Sequence, residues 1–410
     1  MTHIPLANAV TADLLEEFGS PLFVVNESVL RQTFRDFSRT FSTPEFPSHV
    51  AFSYKTNYLP AVCAILRNEG AWAEVVSGPE YRLARRLGHS PGEIVFNGPW
   101  KTRDELETAL AEGACIVLDG LDEFSTVESL VGGFKQPARL GIRIAFNGGK
   151  TDWSRFGFAH GDATHILERI AKNPALDLHM LHSHCGTNVG DPGVYSGAAA
   201  GLVELAKLAA ALHLAPAFID LGGGFPSGVN LTPYARAITK TLRPLTHLFD
   251  TTPALLLEPG RSLVSLAMQL VCTVVAVKDI PGRGRAIILN GGRNLLPPAC
   301  REGPGTLSVI RVKDVDQPPQ SSYAPVAVFG PLCMPEDIIN ESALLPPLAP
   351  GDLVLVHEAG AYTITQSMPF IRPCPGVVLL GPDGPVLIRR AQTDEDLFAC
   401  DVLPPHLKQS

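Results

Sequence analysis

The sequence predicts a (β/α)8 barrel followed by a second, mostly β-sheet domain. Between residues 49 and 258, eight short apolar runs alternate with segments of helical periodicity, a pattern typical of a closed parallel sheet covered by helices. Beyond residue 265 the chain changes to short β-rich runs that glycine and proline interrupt. A chain of 410 residues also exceeds what one ordinary core supports, so two domains are expected.

The first domain, expected over residues 28–265, is defined by its apolar runs and its helix starts. Its predicted strands are residues 49–55, 72–76, 93–97, 115–118, 138–145, 176–184, 217–221 and 254–258. Its clearest helices are residues 59–66, 78–87, 102–111, 121–131 and 193–212. Thr102 and Glu105 have the spacing of a capping box, in which each side chain satisfies a backbone N–H of the first turn.

The second domain is expected to combine residues 1–27 with residues 266–410. Its predicted strands are residues 268–277, 286–290, 326–329, 352–357, 377–380 and 386–389. Gly381 to Gly384 reads Gly-Pro-Asp-Gly, a hairpin turn between the last two of these strands. The N-terminal run at residues 21–26 is expected to add one more strand to this domain.

Composition excludes several classes of protein. A net charge of -8, with 45% apolar and 18% charged residues, argues for a soluble globular protein and against a nucleic-acid or anionic-membrane surface. The first 18 residues lack the pattern of a signal peptide. Eight cysteines without a C-x-x-C pair fit free thiols in the cytoplasm. No metal is expected, because His182-Ser-His-Cys185 is a weak ligand pattern without a second cluster.

Lys55 is the first candidate for chemistry. It ends the first predicted barrel strand, and strand alternation puts the small residues Ser53 and Ala51 on its face. A lysine at the carboxyl end of a barrel strand is where such an enzyme places an amine that binds a carbonyl cofactor covalently. A plain surface lysine at a strand end remains the alternative for this stretch alone.

Three further motifs follow predicted barrel strands, at the edge where barrels keep their active sites. Gly222-Gly223-Gly224 lets backbone N–H groups approach an anion, although a glycine triplet is often only a tight turn. Glu258-Pro-Gly260-Arg261 offers an arginine for a phosphate and a carboxylate for a protonated ring nitrogen, or a structural salt bridge. His184-Cys-Gly-Thr187 offers an imidazole and a hydroxyl, or a core histidine. Together these groups and Lys55 predict a site for pyridoxal phosphate.

At this point the chain resembles the fold-type III pyridoxal phosphate decarboxylases, the group of diaminopimelate and ornithine decarboxylases, whose barrel is of the alanine-racemase type. The resemblance runs nearly from end to end. The motifs that carry it are Tyr54-Lys-Thr-Asn57, Glu74-Val-Val-Ser-Gly-Pro-Glu80, Ser154-Arg-Phe-Gly157, His184-Cys-Gly-Thr187, Gly222-Gly-Gly-Phe225, Glu258-Pro-Gly-Arg261, Gly330-Pro-Leu-Cys333 and Gly360-Ala-Tyr362.

The resemblance implies a role for each matched residue. Lys55 would hold the cofactor covalently, with Glu74 beside it where the family usually has aspartate. His184 would stack on the pyridine ring, and Glu258 would pair with the ring nitrogen. Cys333, donated across the interface of a homodimer with shared active sites, would protonate the product carbon. The remaining cofactor contacts, mainly to the phosphate, would come from Thr187, Gly222, Gly223, Gly224, Gly260, Arg261 and Tyr362.

Departures from the family pattern bear on the substrate. The diaminopimelate and ornithine enzymes follow the cysteine with an acidic residue that grips the far amine of the substrate, and here Met334 takes that place. Leu295 to Pro298 lacks the arginine that helps to hold diaminopimelate. The sequence therefore favours a conjugated or carrier-bound amino acid in siderophore or antibiotic biosynthesis, with Met334 lining the substrate site. Diaminopimelate decarboxylation and amino-acid racemisation are the alternatives.

Overall fold

The computed structural model describes residues 8–146, 148, 154–298, 306–311 and 322–407. The chain forms two compact units, one of residues Leu30–Val264 and one of Met1–Val29 with Ser265–Ser410. The first elements in chain order are α1 (Asn8–Phe18), β1 (Leu22–Asn26) and α2 (Glu27–Phe41).

The larger unit is a closed barrel of eight parallel strands, in which the first strand pairs with the second and with the eighth. This confirms the predicted barrel. Its strands are β2 (Ser48–Ser53), β3 (Trp72–Val75), β4 (Ile94–Phe96), β5 (Cys115–Leu118), β6 (Ala138–Arg143), β7 (Leu176–His182), β8 (Phe218–Asp220) and β9 (Ala254–Leu257). Side chains from five of the eight strands form one buried cluster of Ala51, Val95, Cys115, Val117, Met180 and Leu256.

Helices between the strands follow the periodicity of the sequence. They are α3 (Pro60–Asn68), α4 (Gly78–Arg86), α5 (Arg103–Glu112), α6 (Leu121–Leu130), α7 (His160–Lys172), α8 (Pro192–Ala211), α9 (Thr232–Leu242) and α10 (Arg261–Val264). The expected capping box is present at α5, where Thr102 and Glu105 each accept the other's backbone N–H. Helix α8 has the length and composition of a membrane span, but eight of its side chains are buried in the unit.

The smaller unit is built on a nine-stranded sheet. Its strands after β1 are β10 (Met268–Ile280), β11 (Gly284–Leu289), β12 (Leu307–Ile310), β13 (Ala324–Phe329), β14 (Ile338–Leu345), β15 (Leu353–Val356), β16 (Val377–Gly381) and β17 (Gly384–Arg389). The order runs β14-β13-β11-β10-β1-β16-β17, with β15 on β10 and β12 on β15. Strand β1 pairs antiparallel with β10 and parallel with β16, so the N-terminal run completes this sheet. Two short helices are α11 (Thr363–Gln366) and α12 (Asp394–Leu397).

Two strands of this sheet, β12 and β14, are absent from the strands that the sequence predicts. Strand β14 lies at the sheet edge and carries Asn340, Glu341 and Ser342, so its apolar alternation is broken. Strand β12 has only four residues. The seven cysteines within the described ranges are free thiols, and Cys300 lies outside those ranges.

Candidate active site

Lys55 lies one turn beyond the strand that was expected to carry it. Strand β2 ends at Ser53, and Tyr54–Thr56 form a 3-10 turn closed by a hydrogen bond from the Asn57 N–H to the Tyr54 carbonyl. The prediction that strand alternation orients Lys55 is therefore wrong. The Ser53 N–H donates to the carbonyl of Pro259, so the contact of β2 with the segment after β9 continues to the last residue of β2.

The amine of Lys55 is held by a buried carboxylate. Its Nζ lies 2.5 Å from Oε2 of Glu74, the same oxygen that accepts the Ser53 hydroxyl at 2.5 Å. Glu74 is fully buried at the end of β3, whereas the lysine side chain keeps 36% of its surface exposed. The neighbouring strands therefore fix the position of an amine that stays accessible.

Asn97 connects this carboxylate to a second one. Its Nδ2 donates to Oε1 of Glu258 at 2.6 Å and lies 3.2 Å from Oε1 of Glu74. Glu258 follows β9 and is buried, and its Oε2 lies 3.5 Å from Nε2 of His182. Burial raises the pKa of Glu258, but the charges of His182 and Lys55 outweigh that effect and hold its pKa well below the usual value. Glu258 is thus an anion fixed at the carboxyl end of the barrel.

The glycine triplet after β8 has no room for side chains. A Cβ on Gly223 would overlap the carbonyl oxygen of Glu258, and one on Gly224 would overlap that of Gly186. Gly222 and Gly224 also have φ of +64° and +88°, in the left-handed region. Glycine is therefore required at each position, and the backbone itself lines this part of the rim.

His184 lies against the glycine triplet. A Cβ on Gly222 would come within 2.7 Å of its ring, and its Nδ1 accepts the Gly186 N–H at 3.0 Å. Burial, followed by the charges of Arg143 and Lys55, lowers the pKa of His184 to about 3. The ring is therefore neutral at physiological pH.

The other predicted residues of the barrel lie on the loop after β7, which carries His184, and on the loop after β9, which carries Glu258. Thr187 is exposed on the loop after His184, and the Val189 N–H ties that loop to the Gly224 carbonyl at 2.8 Å. Gly260 packs so closely on Thr56 that a Cβ would overlap its hydroxyl. Arg261 begins α10 directly after Gly260.

Three predicted residues belong to the smaller unit and are described within it. Cys333 and Met334 are exposed on a turn before β14. Asp337 is buried there and accepts the N–H groups of Arg293 and Leu332, each at 2.7 Å, so it stabilises the turn. Tyr362 precedes α11 with a φ of +64°, a conformation that non-glycine residues rarely adopt.

Comparison with known proteins was decisive for the family. A family model described as "Pyridoxal-dependent decarboxylase, pyridoxal binding domain" matches residues 27–265. The chain belongs to this family. It is 28% identical to the diaminopimelate decarboxylase of Methanothermobacter thermautotrophicus, over 99% of this chain and 97% of that protein. It is 25% identical to the diaminopimelate decarboxylase of Bacillus subtilis, over 98% and 95% of the two chains.

Solved structures share the fold of this decarboxylase. A diaminopimelate decarboxylase from M. jannaschii superposes with a TM-score of 0.88 at 24% identity, covering 97% of this chain and 95% of that chain. The arginine decarboxylase of Paramecium bursaria Chlorella virus, bound to agmatine, superposes with a TM-score of 0.76 at 22% identity, covering 88% and 97%. The chain is accordingly a pyridoxal-phosphate-dependent amino-acid decarboxylase, a carboxy-lyase.

The residues of the decarboxylase barrel fit its cofactor. An accessible amine, a neutral imidazole and a buried anionic carboxylate lie at one rim, as an aldehyde, an aromatic ring and a protonated ring nitrogen require. The side-chain-free glycine loop beside them is shaped for a phosphate.

Three polar residues of this rim were not identified from the sequence, namely Asn97, His182 and Asp220. Asn97 directly follows β4, while His182 and Asp220 end β7 and β8. The only sequence signal for a functional role of these residues was their position at the end of a strand. Their partners are distant in sequence and are brought together only by barrel closure, so the sequence did not indicate the contacts.

The decarboxylase should lose stability as pH rises from about 5 to 7, because of Glu80. Burial, opposed by the Val76 N–H and reinforced by the charge of Glu74, raises the pKa of Glu80 from 4.5 to about 7. The folded state keeps a proton that the unfolded chain releases above pH 4.5, so the cost is absent below that pH and complete above pH 7. We expect Glu80→Gln to raise the free energy of unfolding by about 2–3 kcal/mol at pH 8 but not at pH 4.5.

Urea denaturation across this pH range measures the effect. Glu107→Gln, which removes an exposed carboxylate of α5, serves as the matched variant. Its free energy of unfolding should change with pH in the same way as that of the unmodified protein. Parallel curves for Glu80→Gln as well would show that Glu80 ionises normally in the fold.

Proposed function

We propose that this decarboxylase removes a carboxylate from diaminopimelate, releasing lysine and carbon dioxide. The observation that supports this substrate most is the set of curated relatives, since diaminopimelate decarboxylases from an archaeon and a bacterium align with almost the whole chain. This proposal reverses the preference of the sequence analysis, which ranked diaminopimelate second.

The residues of the rim divide the work of binding and orientation. Pyridoxal phosphate, when bound, supplies an electron sink for the pair released from the Cα–carboxylate bond. Lys55 binds it covalently, and Glu74 positions the Lys55 amine. Glu258 accepts the hydrogen of the ring nitrogen, and His184 covers one ring face. Thr187, Gly222, Gly223, Gly224, Gly260 and Arg261 would hold the phosphate.

A second candidate is a conjugated or carrier-bound amino acid, and Met334 is the observation that favours it. Met334 is 36% exposed and has no charge with which to attract a far amine. Asp337, four residues after Cys333, does not replace the missing acid, because its carboxylate is buried and bound to backbone N–H groups. An amino acid whose far end is acylated has no charged amine there, so its binding would not be weakened by the absence of an acidic residue.

The two candidates are separated by a substrate panel. We expect lysine and carbon dioxide from meso-diaminopimelate at a higher kcat/KM than products from ornithine, lysine or N-acylated diaminopimelate. Met334→Glu should raise the preference for diaminopimelate over the acylated form by tens- to thousands-fold, since one charge-assisted contact contributes about 2–5 kcal/mol. Leu344→Glu, at an exposed position of β14, adds the same charge as a control.

Each outcome of the panel has a distinct meaning. Turnover of the acylated form with little turnover of free diaminopimelate would establish the second candidate. Inversion of the amino acid without release of carbon dioxide would indicate a racemase. An unchanged preference in Met334→Glu would remove Met334 from the substrate site.

We also propose that the enzyme is a homodimer in which Cys333 of one subunit completes the site of the other and holds the proton that reaches the product carbon. The exposure of Cys333 supports this role, since a buried thiol could not be donated to a second chain.

Mixing inactive Lys55→Ala with inactive Cys333→Ala should restore up to about a quarter of the activity, because random subunit exchange leaves one complete site in half of the dimers. Cys400→Ala removes another exposed thiol and should be active by itself. Mixing it with Lys55→Ala should give no more activity than the Cys400→Ala protein has alone. No recovery after demonstrated subunit exchange would place each site within one chain.

A cytoplasmic location is proposed as well. The described cysteines are free thiols, and several of them, such as Cys63 and Cys272, are buried. Free thiols persist in a reducing compartment.

A further inference from the structure

Two further ionisable side chains lie behind Glu258, on the neighbouring barrel strands. His182 ends β7 and Asp220 ends β8, and the register of the sheet pairs them directly. Both are at most 1% exposed. One side-chain nitrogen or oxygen atom from each of His182, Asp220 and Glu258 lies within 4.8 Å of the other two. Three titratable groups are therefore packed together inside the barrel.

The two oxygens of Asp220 have different surroundings. Oδ1 accepts the Gly222 N–H at 2.7 Å, whereas Oδ2 is buried and receives no hydrogen bond from an N–H or O–H donor of the described residues. A buried oxygen of an ionised carboxylate in that situation is strongly unfavourable. A protonated Oδ2 would instead have a donor hydrogen facing an anion, the carboxylate of Glu258.

The electrostatics of the two carboxyl groups point in opposite directions. Burial, and then the charge of Glu258, raise the pKa of Asp220 well above its usual range. Glu258 has the opposite shift, because His182, Lys55 and the hydrogen bond with Asp220 overcome the effect of burial on its pKa. Two carboxyl groups this close share one proton and titrate as a pair.

We propose that Asp220 is a positioning residue which keeps its proton at neutral pH and donates it from Oδ2 to Glu258. The pair then has a single negative charge, located on Glu258. This inference rests on the proposed contact between Glu258 and the cofactor ring nitrogen. A hydrogen bond from Asp220 makes Glu258 less basic, so the proton between Glu258 and the ring stays on the ring nitrogen. It also fixes the orientation of Glu258 together with Asn97.

Other charged groups surround the pair without taking over this role. Lys55 after β2, Glu74 on β3 and Arg143 on β6 act on the pair through their charges. The pKa of the buried Cys115 thiol is raised by burial and then by the charge of Asp220. The carboxyl group of Asp220 accepts the N–H of Gly222, which opens the glycine loop. Asp220 therefore links the nitrogen-binding and phosphate-binding parts of the rim.

Asp220→Asn and Asp220→Ala distinguish a neutral from an ionised Asp220. The asparagine keeps both contacts, since its carbonyl oxygen can accept the Gly222 N–H and its amide can donate to Glu258. We expect Asp220→Ala to raise the Kd for pyridoxal phosphate at least about 10-fold and to shift the 15N resonance of the bound ring nitrogen. Asp220→Asn should restore both quantities to near their original values. A residue with a merely structural role would leave the ring-nitrogen resonance unchanged.

The protonation state is also visible without the cofactor. At neutral pH the apoprotein with Glu80→Gln, which removes the other carboxyl group with a raised pKa, should show an infrared band of a protonated carboxyl group that disappears when Asp220→Asn is added. Absence of that band, or equal impairment of the asparagine and alanine variants, would overturn the proposal. So would a stoichiometric metal ion that elemental analysis finds in the unmodified protein and not in Asp220→Asn, since it would make the three residues a metal site.

Glu258→Gln separates failure of this inference from failure of the proposed cofactor contact. If Glu258→Gln leaves the ring-nitrogen resonance unchanged, Glu258 does not contact that nitrogen and the proposed role of Glu258 is wrong. If Glu258→Gln shifts the resonance and Asp220→Ala does not, only the role of Asp220 is wrong.

Discussion

Replacing Lys55 with alanine should lower decarboxylation by at least about 10³-fold and remove the covalently bound cofactor. Its amine is the one group at the described rim that combines access from solvent with a fixed anionic partner, Glu74 at 2.5 Å. Glu74 keeps the amine in place, and the open side of the lysine allows an aldehyde to reach it. Loss of this amine removes an interaction that no neighbouring side chain can replace.

Borohydride reduction followed by peptide mapping identifies the attachment site directly. The phosphopyridoxyl group should be found on Lys55 in the unmodified enzyme. Lys101 provides an internal comparison, because its amine is fully buried and donates to the carbonyls of Gly98 and Val117 and to Glu123. Lys207→Ala, at an exposed position of α8, should leave labelling and activity unchanged. A label on a lysine other than Lys55 would require a different site.

The barrel could be predicted from sequence because its signals are local. Each strand is an apolar run followed by a helix with its own start signal, such as the capping box at Thr102. Strand ends were less predictable, since β2 ends at Ser53 and the apolar alternation of the sequence does not show the 3-10 turn at Tyr54–Thr56. The edge strand β14 escaped prediction because its outward face is polar.

The site shows the same division between local and long-range information. Lys55, His184 and Glu258 could be selected one at a time, because each stands in a recognisable motif. Asn97 could not, since its importance lies in a 2.6 Å contact with Glu258 that exists only when the barrel closes. Asp220 precedes a conspicuous glycine triplet, but the state of its proton depends on a carboxylate on the next strand.

Alanine at Gly223 should raise the Kd for pyridoxal phosphate by about 10- to 100-fold, because overpacking of this kind costs about 1–3 kcal/mol. The φ of Gly223 lies outside the left-handed region, unlike those of Gly222 and Gly224. Alanine at this position therefore has an allowed backbone conformation, and its Cβ is disfavoured only by overlap with a neighbouring atom. The obstacle is the carbonyl oxygen of Glu258, which cannot rotate away as a side chain would. The Glu258 N–H is also bonded to the Gly222 carbonyl at 2.9 Å. In Gly223→Ala the whole loop of Gly222 to Gly224 must therefore shift. Its backbone N–H groups would then lie farther from the proposed position of the phosphate.

The affinity for unphosphorylated pyridoxal tests whether that loop binds the phosphate in particular. Gly223→Ala should weaken binding of pyridoxal phosphate far more than binding of pyridoxal, since the glycine loop is proposed to hold the phosphate and not the ring. Gly161→Ala is the matched variant, because a Cβ at that position of α7 has open space around it and should leave both affinities unchanged. Equal weakening of the two ligands by Gly223→Ala would mean that the methyl group acts through Glu258 and the ring nitrogen, and the phosphate would then have to be bound elsewhere on the rim.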